Sequence, residues 1–475
     1  MQSKTAHFKE NAKKALGDAQ LQRVLDKFST GFPVKRAQAA ARLPEFEDLR
    51  DAARDIRAHV LDNLDVYLER FETKVIETGG MVHWARGGSD ACSIIGDICK
   101  SVDAKTVTKS KSMIGEEIAI NDYLEKNGVD PVETDLGEYI IQLRDEPPSH
   151  IIVPAVHLSK EQVAETFREK HTDLPADRVL DNPRILLDEA RGKLREKFLS
   201  ADVGLSGANM LVAETGSIAL VTNEGNADLS VGLPRVHIVL ASIEKVVPCM
   251  EDAWTLLRVL ARSATGQDLS VYTSFVTGPK RSDDLDGPEE FHVVLLDNGR
   301  SSMLGSEFHD MLRCIKCGSC INHCPVYAKI GGHAYGWVYP GPMGSVLSPA
   351  LLGDVSANDL PNASTLCGKC ETVCPVRIPL PEMLRQWRNR QFEANQMPTR
   401  QRLGLRAWAW LARRPRTYRL VMEIGTGLLT KLAPRNGRFK NLPFAKGWTS
   451  KRDLPAPQGK TFMAQWKQRS NGGSS

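Results

Sequence analysis

Residues 314–325 read CIKCGSCINHCP and residues 367–375 read CGKCETVCP. In the first run Cys314, Cys317, Cys320 and Cys324 are separated by two, two and three residues, and Pro325 follows the last. Three thiolates at two-residue gaps wrap one side of an iron-sulfur cube, because a tight turn aims each sulfur inward. A fourth cysteine before proline points away to a second cluster. Zinc also takes C-x2-C pairs, but it closes with four ligands from two such pairs, whereas a four-cysteine run ending in Cys-Pro is the iron-sulfur pattern.

The second run, Cys367, Cys370, Cys374 and Pro375, repeats the end of the first and supplies the reciprocal ligand. By the crossover rule Cys314, Cys317, Cys320 and Cys374 bind one [4Fe-4S] cluster, and Cys324, Cys367 and Cys370 bind the other. Aligning the runs puts Ser364 where the second run's leading cysteine would fall. The second cluster is therefore either [3Fe-4S], or [4Fe-4S] with its fourth iron on Ser364, another side chain, water or a partner's ligand. Two clusters in one small helical domain, residues 301–385, are an arrangement for relaying single electrons. Between the runs, residues 330–344 (IGGHAYGWVYPGPMG) read as a loop packed over that domain, with Tyr335, Trp337 and Tyr339 shielding it or meeting a partner. His323 and His333 read as hydrogen-bonding neighbours rather than ligands.

Upstream, residues 76–300 alternate short β-branched runs with amphipathic helices, the pattern of an α/β sheet. Strands are expected at 151–155, 210–213, 217–222, 236–240 and 291–296, with Gly216 turning between the second and third. Ser159 and Gln162 spell a capping box for a helix after 158. Glu214, Thr215, Gly216 and Ser217, then Asn223 and Glu224, put two carboxylates beside glycine turns at strand ends, which suits either a pocket for a small polar ligand or two capped turns. Residues 1–75 carry apolar positions at helical spacing, among them Val60, Leu64, Leu68 and Phe71.

The 475 residues exceed what one core usually serves, and 41% hydrophobic with 25% charged residues is ordinary globular composition. No apolar run reaches membrane-spanning length and the N-terminus lacks a signal-peptide core, so a cytoplasmic protein is expected. Seven of the ten cysteines fall in the two runs, which in that compartment favours metal over disulfides. Cys92, Cys99 and Cys249 read as small buried residues. Residues 385–475 hold 20 Lys and Arg against Glu393, Glu423 and Asp453, a net +17 in a chain of net +4, so the remainder sums to −13. Over 386–475 this basic tail sets Trp408, Trp410, Leu420 and Ile424 among arginines, with Pro415 as a break. It suits docking to a partner subunit, then contact with an anionic membrane where quinone is reachable, and nucleic acid last.

The segments CIKCGSCINHCPVYAKIGGHAYGWVYPGPMGSVL, LCGKCETVCPV and GANMLVAETGSIALVTNEGN, with KSKSM at 109–113 and ETDLGE at 133–138, resemble the lactate-utilisation iron-sulfur subunit family. Its members join a lactate-utilisation (LUD) domain to a dicluster ferredoxin-type domain and a basic C-terminal region. The resemblance implies an α/β LUD fold similar to sugar isomerases and CoA transferases, and the seven cysteines as cluster ligands. It also implies a bacterial complex oxidising L-lactate to pyruvate, with a cysteine-rich-domain iron-sulfur subunit and a smaller LUD-type subunit as partners. The chain has neither G-x-G-x-x-G after a strand nor a phosphate-binding Walker loop, so breaking the substrate C–H bond needs a flavin, a special cluster or another subunit. Two other readings are a subunit acting on another 2-hydroxy acid such as glycolate, and an iron-sulfur redox sensor binding nucleic acid through the tail.

Overall fold

A computed structural model of the chain describes residues 3–353, 355–442, 449 and 452–472. It opens with the expected helices, α1 (Phe8–Gly17), α2 (Ala19–Ala41), α3 (Phe46–Asp62) and α4 (Leu64–Glu77). Asp18 starts α2 by accepting the amide hydrogens of Gln20 and Leu21, satisfying donors that a helix start leaves free. The buried stripe of α3 comprises Phe46, Arg50, Ala53, Arg57, Val60 and Leu61. Two arginines on an apolar stripe must find partners inside the protein.

The strands that follow are β1 (Met81–Ala85), β2 (Thr106–Lys109), β3 (Asp130–Glu133), β4 (Val203–Ser206), β5 (Met210–Val212), β6 (Ser217–Thr222), β7 (Val236–Ser242), β8 (Val246–Val247), β9 (Tyr272–Val276) and β10 (Glu290–Leu296). Six form one sheet in the order β1-β10-β7-β4-β2-β3, every neighbouring pair parallel. A parallel sheet is covered on both faces and its strands alternate between two cores. Ile238, Leu240, Val294 and Leu296 pack with Ala91, Ile95 and Ile98 of helix Gly88–Ser101. Val239, Ala241, Val293 and Leu295 pack with Leu68, Phe71 and Val75 of α4. The second sheet runs β8-β5-β6-β9. In it β5 and β6 are antiparallel, with Val212 opposite Ser217. Gly216 turns between them at φ +70°, and a Cβ there would lie 2.6 Å from the backbone of α4, so the turn closes on the helix only as glycine.

Four of the five expected strands are present, and the Ser159–Gln162 capping box is formed. The expected strand at 151–155 is not: these residues bend and turn. Pro147, Pro148 and Pro154 have no amide hydrogen for a ladder, the Ser149 amide closes back on Pro154 O, and Ile151 is buried with Cys317, Ile321 and Tyr327 instead. Strands β1 to β4, β8 and β9 were not expected; they are short, and β2, TVTK, carries no apolar alternation.

Residues Met1–Gln391 form one compact unit and Phe392–Ser475 a second. In the first, the core around Cys317, Cys324, Cys370 and Cys374 also takes in Phe46 and Ala53 of α3 and Leu256, Leu257 and Leu260 of helix Met250–Ala264. The second unit holds helices Thr399–Ala412 and Pro415–Lys431, neither with a buried residue, and a ribbon pairing Arg438–Phe439 with Leu454–Pro455. Pro415 opens the second of these helices, where its missing amide hydrogen costs nothing. Among the described residues no helix is long and apolar enough to cross a membrane.

Candidate cluster centre and adjoining cleft

Both cysteine runs fold alike. Lys316 and Gly318 flank Cys317, and Leu366 and Gly368 flank Cys367, all four at left-handed φ between 53° and 79°. Each turn leads into a one-turn helix, Ser319–Asn322 carrying Cys320 and Lys369–Thr372 carrying Cys370. Cys314 Sγ accepts the Lys316 amide hydrogen at 3.4 Å, and Ser364 Oγ accepts the Leu366 amide hydrogen at 3.1 Å. Ser364 thus occupies in the second run the local place that Cys314 occupies in the first.

Cys314, Cys317, Cys320 and Cys374 line one small apolar cavity with Ile151, Met343 and Ile378. Cys324, Cys367 and Cys370 interact with one another beside it: burial, then Cys324 and Cys367, push the Cys370 thiol up to about 12. Burial, the rest of its own set and Cys370 push Cys320 well above the ordinary thiol range, so the two sets meet at Cys320 and Cys370. Cys367 is exposed, and the Lys369 amide and Thr365 side chain lower its pKa. Among the described residues no three His, Cys, Asp or Glu side chains close on a single-ion site; the cysteines line the wall of a shared cavity. Thiols crowded into an apolar pocket oppose one another's ionisation, and a cationic iron-sulfur core supplies the compensating charge. The donor set therefore fits such a group.

Four guanidinium groups surround the first set. Arg50, 4% exposed, donates from Nη2 to Cys374 O and Thr372 O, both at 2.7 Å. Arg36 donates to Val373 O at 3.0 Å, and Arg57 to Leu312 O at 2.9 Å and Val246 O at 3.0 Å. Burial lowers Arg57 to about 10. Arg313 is paired with Asp310. The buried arginines of α3 thus carry the cysteine loops on their backbone carbonyls, which the alternation of residue types along α3 did not reveal before the fold was known.

A second buried network joins the loop between the runs to the sheet region. Arg300 binds Glu117 through two hydrogen bonds of 2.9 and 2.7 Å and lies 3.1 Å from Glu244, while Tyr339 OH donates to Glu117 at 2.5 Å. Burial raises Glu244, but Arg300, Lys316 and Lys245 hold it down at about 2. Tyr335, Trp337 and Tyr339 are all buried, as a packed loop requires. His323 bonds Ser319 O and His333 bonds Pro147 O, each at 2.8 Å. Cys92 and Cys99 are buried and Cys249 partly so.

At the carboxyl ends of β2, β4 and β7 a cleft of about 420 Å3 opens, lined by Lys111, Asn209, Ser242, Lys245, Lys316 and Tyr339 among others. Ligands in parallel α/β sheets bind at such strand ends. Asn223 and Glu224 line this cleft, with Glu224 accepting the Leu136 amide hydrogen at 3.0 Å. Glu214, Thr215, Gly216 and Ser217 do not: they form the turn at the opposite end of β6, against α4, where Ser217 Oγ bonds Thr277 Oγ1 at 2.6 Å and Glu214 accepts the Met250 amide hydrogen at 3.2 Å. The residues grouped by sequence proximity sit at two ends of one strand.

Residues 68–296 match the LUD domain family, residues 310–378 the 4Fe-4S dicluster domain, and residues 376–471 the C-terminal domain of lactate utilisation protein B. Lactate utilization protein B of Bacillus velezensis is 42% identical over 471 residues, 98% of this chain and 97% of that one. The proteins of that name from Lysinibacillus sphaericus, 40% identical over 99% of both chains, and Bacillus subtilis, 41% identical over 96% and 95%, are similar along their whole lengths. A solved DUF162 family protein from Deinococcus radiodurans covers 49% of this chain and 98% of its own at 13% identity and a TM-score of 0.28. With a parallel α/β domain, a ferredoxin-type dicluster domain and a helical C-terminal region in that order, the chain belongs to the lactate utilization protein B family.

Proposed function

We propose that this iron-sulfur subunit in lactate utilisation is the electron relay of a complex that oxidises L-lactate to pyruvate. The observation that carries this reading is the pair of abutting thiol sets, Cys314, Cys317, Cys320 and Cys374 around one cavity, and Cys324, Cys367 and Cys370 beside it. The first set would hold a [4Fe-4S] cluster, and the second either a [3Fe-4S] cluster or a [4Fe-4S] cluster whose fourth iron takes Ser364, another side chain, water or a partner's ligand. Bound there, the clusters supply one-electron carriage. The residues of the chain aim the sulfurs through left-handed turns, exclude water behind Ile151, Met343 and Ile378, and offset thiolate charge with Arg36, Arg50, Arg57 and Arg313.

Oxidising a 2-hydroxy acid releases two electrons and two protons, so two adjoining one-electron carriers suit the passage of the pair. In this reading the cysteine-rich-domain iron-sulfur subunit and the smaller LUD-type subunit are the partners, and 386–475 is the docking region. Trp408 and Trp410 are exposed there and Arg414 stacks on Trp410 at 4.1 Å, a surface that suits a partner. The parts 1–75, 76–300, 301–385 and 386–475 are the proposed working units. The complex is placed in the cytoplasm, with contact at the inner membrane face and quinone as the second use of the same basic, tryptophan-bearing surface.

EPR of anaerobically purified complex, before and after L-lactate, tests this. Lactate-dependent reduction lost in Cys374→Ser supports the relay. Clusters that dithionite reduces and lactate leaves untouched would remove lactate as the electron source, and glycolate in the same assay decides for or against the alternative acid.

A further inference from the structure

The cleft at the carboxyl ends of β2, β4 and β7 shares two wall residues, Ile151 and Lys316, with the cavity of the first cysteine set. Lys316 lies in the turn between Cys314 and Cys317, and its ammonium group sits 4.4 Å from the centre of the Tyr339 ring. That ring is fixed from behind by its hydroxyl on Glu117. Lys245 reaches the same cleft from just after β7 and, among the described residues, makes no hydrogen bond or ion pair; the adjoining Glu244 carboxylate is taken by Arg300. Two ammonium groups thus face one cleft with no carboxylate in ion-pair contact among the described residues; Glu244 acts on both from longer range while bound to Arg300, and Asp135 and Glu224 line the same cleft. Three lysines, Lys111, Lys245 and Lys316, gathered at one enclosed site carry more charge than these carboxylates meet by direct contact, and burying such charge is costly, so a bound anion relieves it. A third cation, Lys111, donates at 2.5 Å to Ile152 O and borders the same space.

We infer that this cleft binds a small carboxylate, a 2-hydroxy or 2-oxo acid, with Lys245 and Lys316 as its charge-bearing contacts. The inference rests on the relay reading for its link to electron transfer, but the binding itself does not. Asn209 and Ser242 supply neutral polar groups for a hydroxyl or oxo oxygen. The ligand would lie one residue's thickness from the first cysteine set, because Lys316 and Ile151 belong to both walls. At about 420 Å3 the cleft has room for on the order of ten waters, so it selects by charge more than by fit and admits acids longer than three carbons.

The test titrates L-lactate, pyruvate and the neutral amide L-lactamide into anaerobic protein carrying both clusters, by calorimetry and by the EPR signal of the dithionite-reduced protein. Lactate and pyruvate are expected to bind and to perturb the signal, and lactamide to bind about tenfold or more weakly, as loss of a charge-assisted contact implies. Lys245→Met should lose the same factor for the acids while both clusters still reduce with dithionite. Equal binding of lactamide, undiminished binding in Lys245→Met, or no acid binding to the cluster-loaded wild type would overturn the inference. If the variant fails to fold, the lactate-to-lactamide ratio on the wild type decides alone. Clusters that are absent, or that dithionite cannot reduce, would instead strike the relay reading, and this is seen before any acid is added.

Discussion

Arg50→Met isolates the electrostatic role of α3. The Arg50 guanidinium lies 2.7 Å from Cys374 O, and standard bond lengths from that carbonyl to Sγ put its charge roughly 7 Å from a cluster held by Cys374. At an effective dielectric near 20 the interaction is about 2.4 kcal/mol. A one-electron couple moves 59 mV for each tenfold change, about 1.4 kcal/mol, so full loss lowers the reduction potential by roughly 100 mV. The Glu47 carboxylate, 2.7 Å from Arg50 Nη1, stays in the variant and leaves the difference unchanged, while solvent screening on the exposed side trims it, so roughly 50–100 mV is the expected fall. The sign follows from removing a cation beside a centre that becomes more negative on reduction. An EPR-monitored redox titration reads the first cluster, with Arg50→Lys as the charge-retaining control. A fall below about 20 mV, or an equal fall in both clusters, would refute a local electrostatic role for this arginine. The variant also strips donors from Thr372 O and Cys374 O, so a loss of about 3 kcal/mol in unfolding free energy is expected alongside.

Gly332→Ala would place a Cβ 1.7 Å from Ser149 O, and a destabilisation of about 3 kcal/mol or more is expected by thermal unfolding; an unchanged melting temperature would contradict the packing of 330–344 on 149–154. Ser364→Cys should let the second cluster keep its fourth iron under ferricyanide, where the wild type yields a [3Fe-4S] signal, and identical spectra would remove Ser364 from the ligand position. Burial lowers His237 from 6.5 to about 3. Between those values the unfolded chain binds one more proton than the folded one, so stability rises with pH there and is lost as pH falls below 6.5. His237→Gln, keeping a partner for Ser206, should remove about 1.4 kcal/mol per pH unit from that slope; denaturant unfolding between pH 6.5 and 5 measures it, and parallel curves would exclude the histidine as its source.

The sequence by itself determined the features that depend on short spacing. Cysteine gaps of two and three residues dictate tight turns that aim the sulfurs inward wherever the chain lies, and the apolar runs of β7 and β10 are strands because a doubly covered parallel sheet needs continuous apolar residues. Ser364 was legible as a missing cysteine for the same reason. Short strands such as β2 escaped notice because pairing, not propensity, makes them strands. The apolar run at 151–155 became a loop because its burial was satisfied by Cys317 and Tyr327 rather than by a sheet. The carbonyl partners of Arg50 and Arg57 lie more than 180 positions away in sequence, and Lys245 meets Lys316 only through the sheet. Glu214 and Glu224, ten residues apart and alike in sequence context, were sent to opposite ends of β6. A strand separates its two ends by its length, so only tertiary structure could decide which carboxylate faces the cleft.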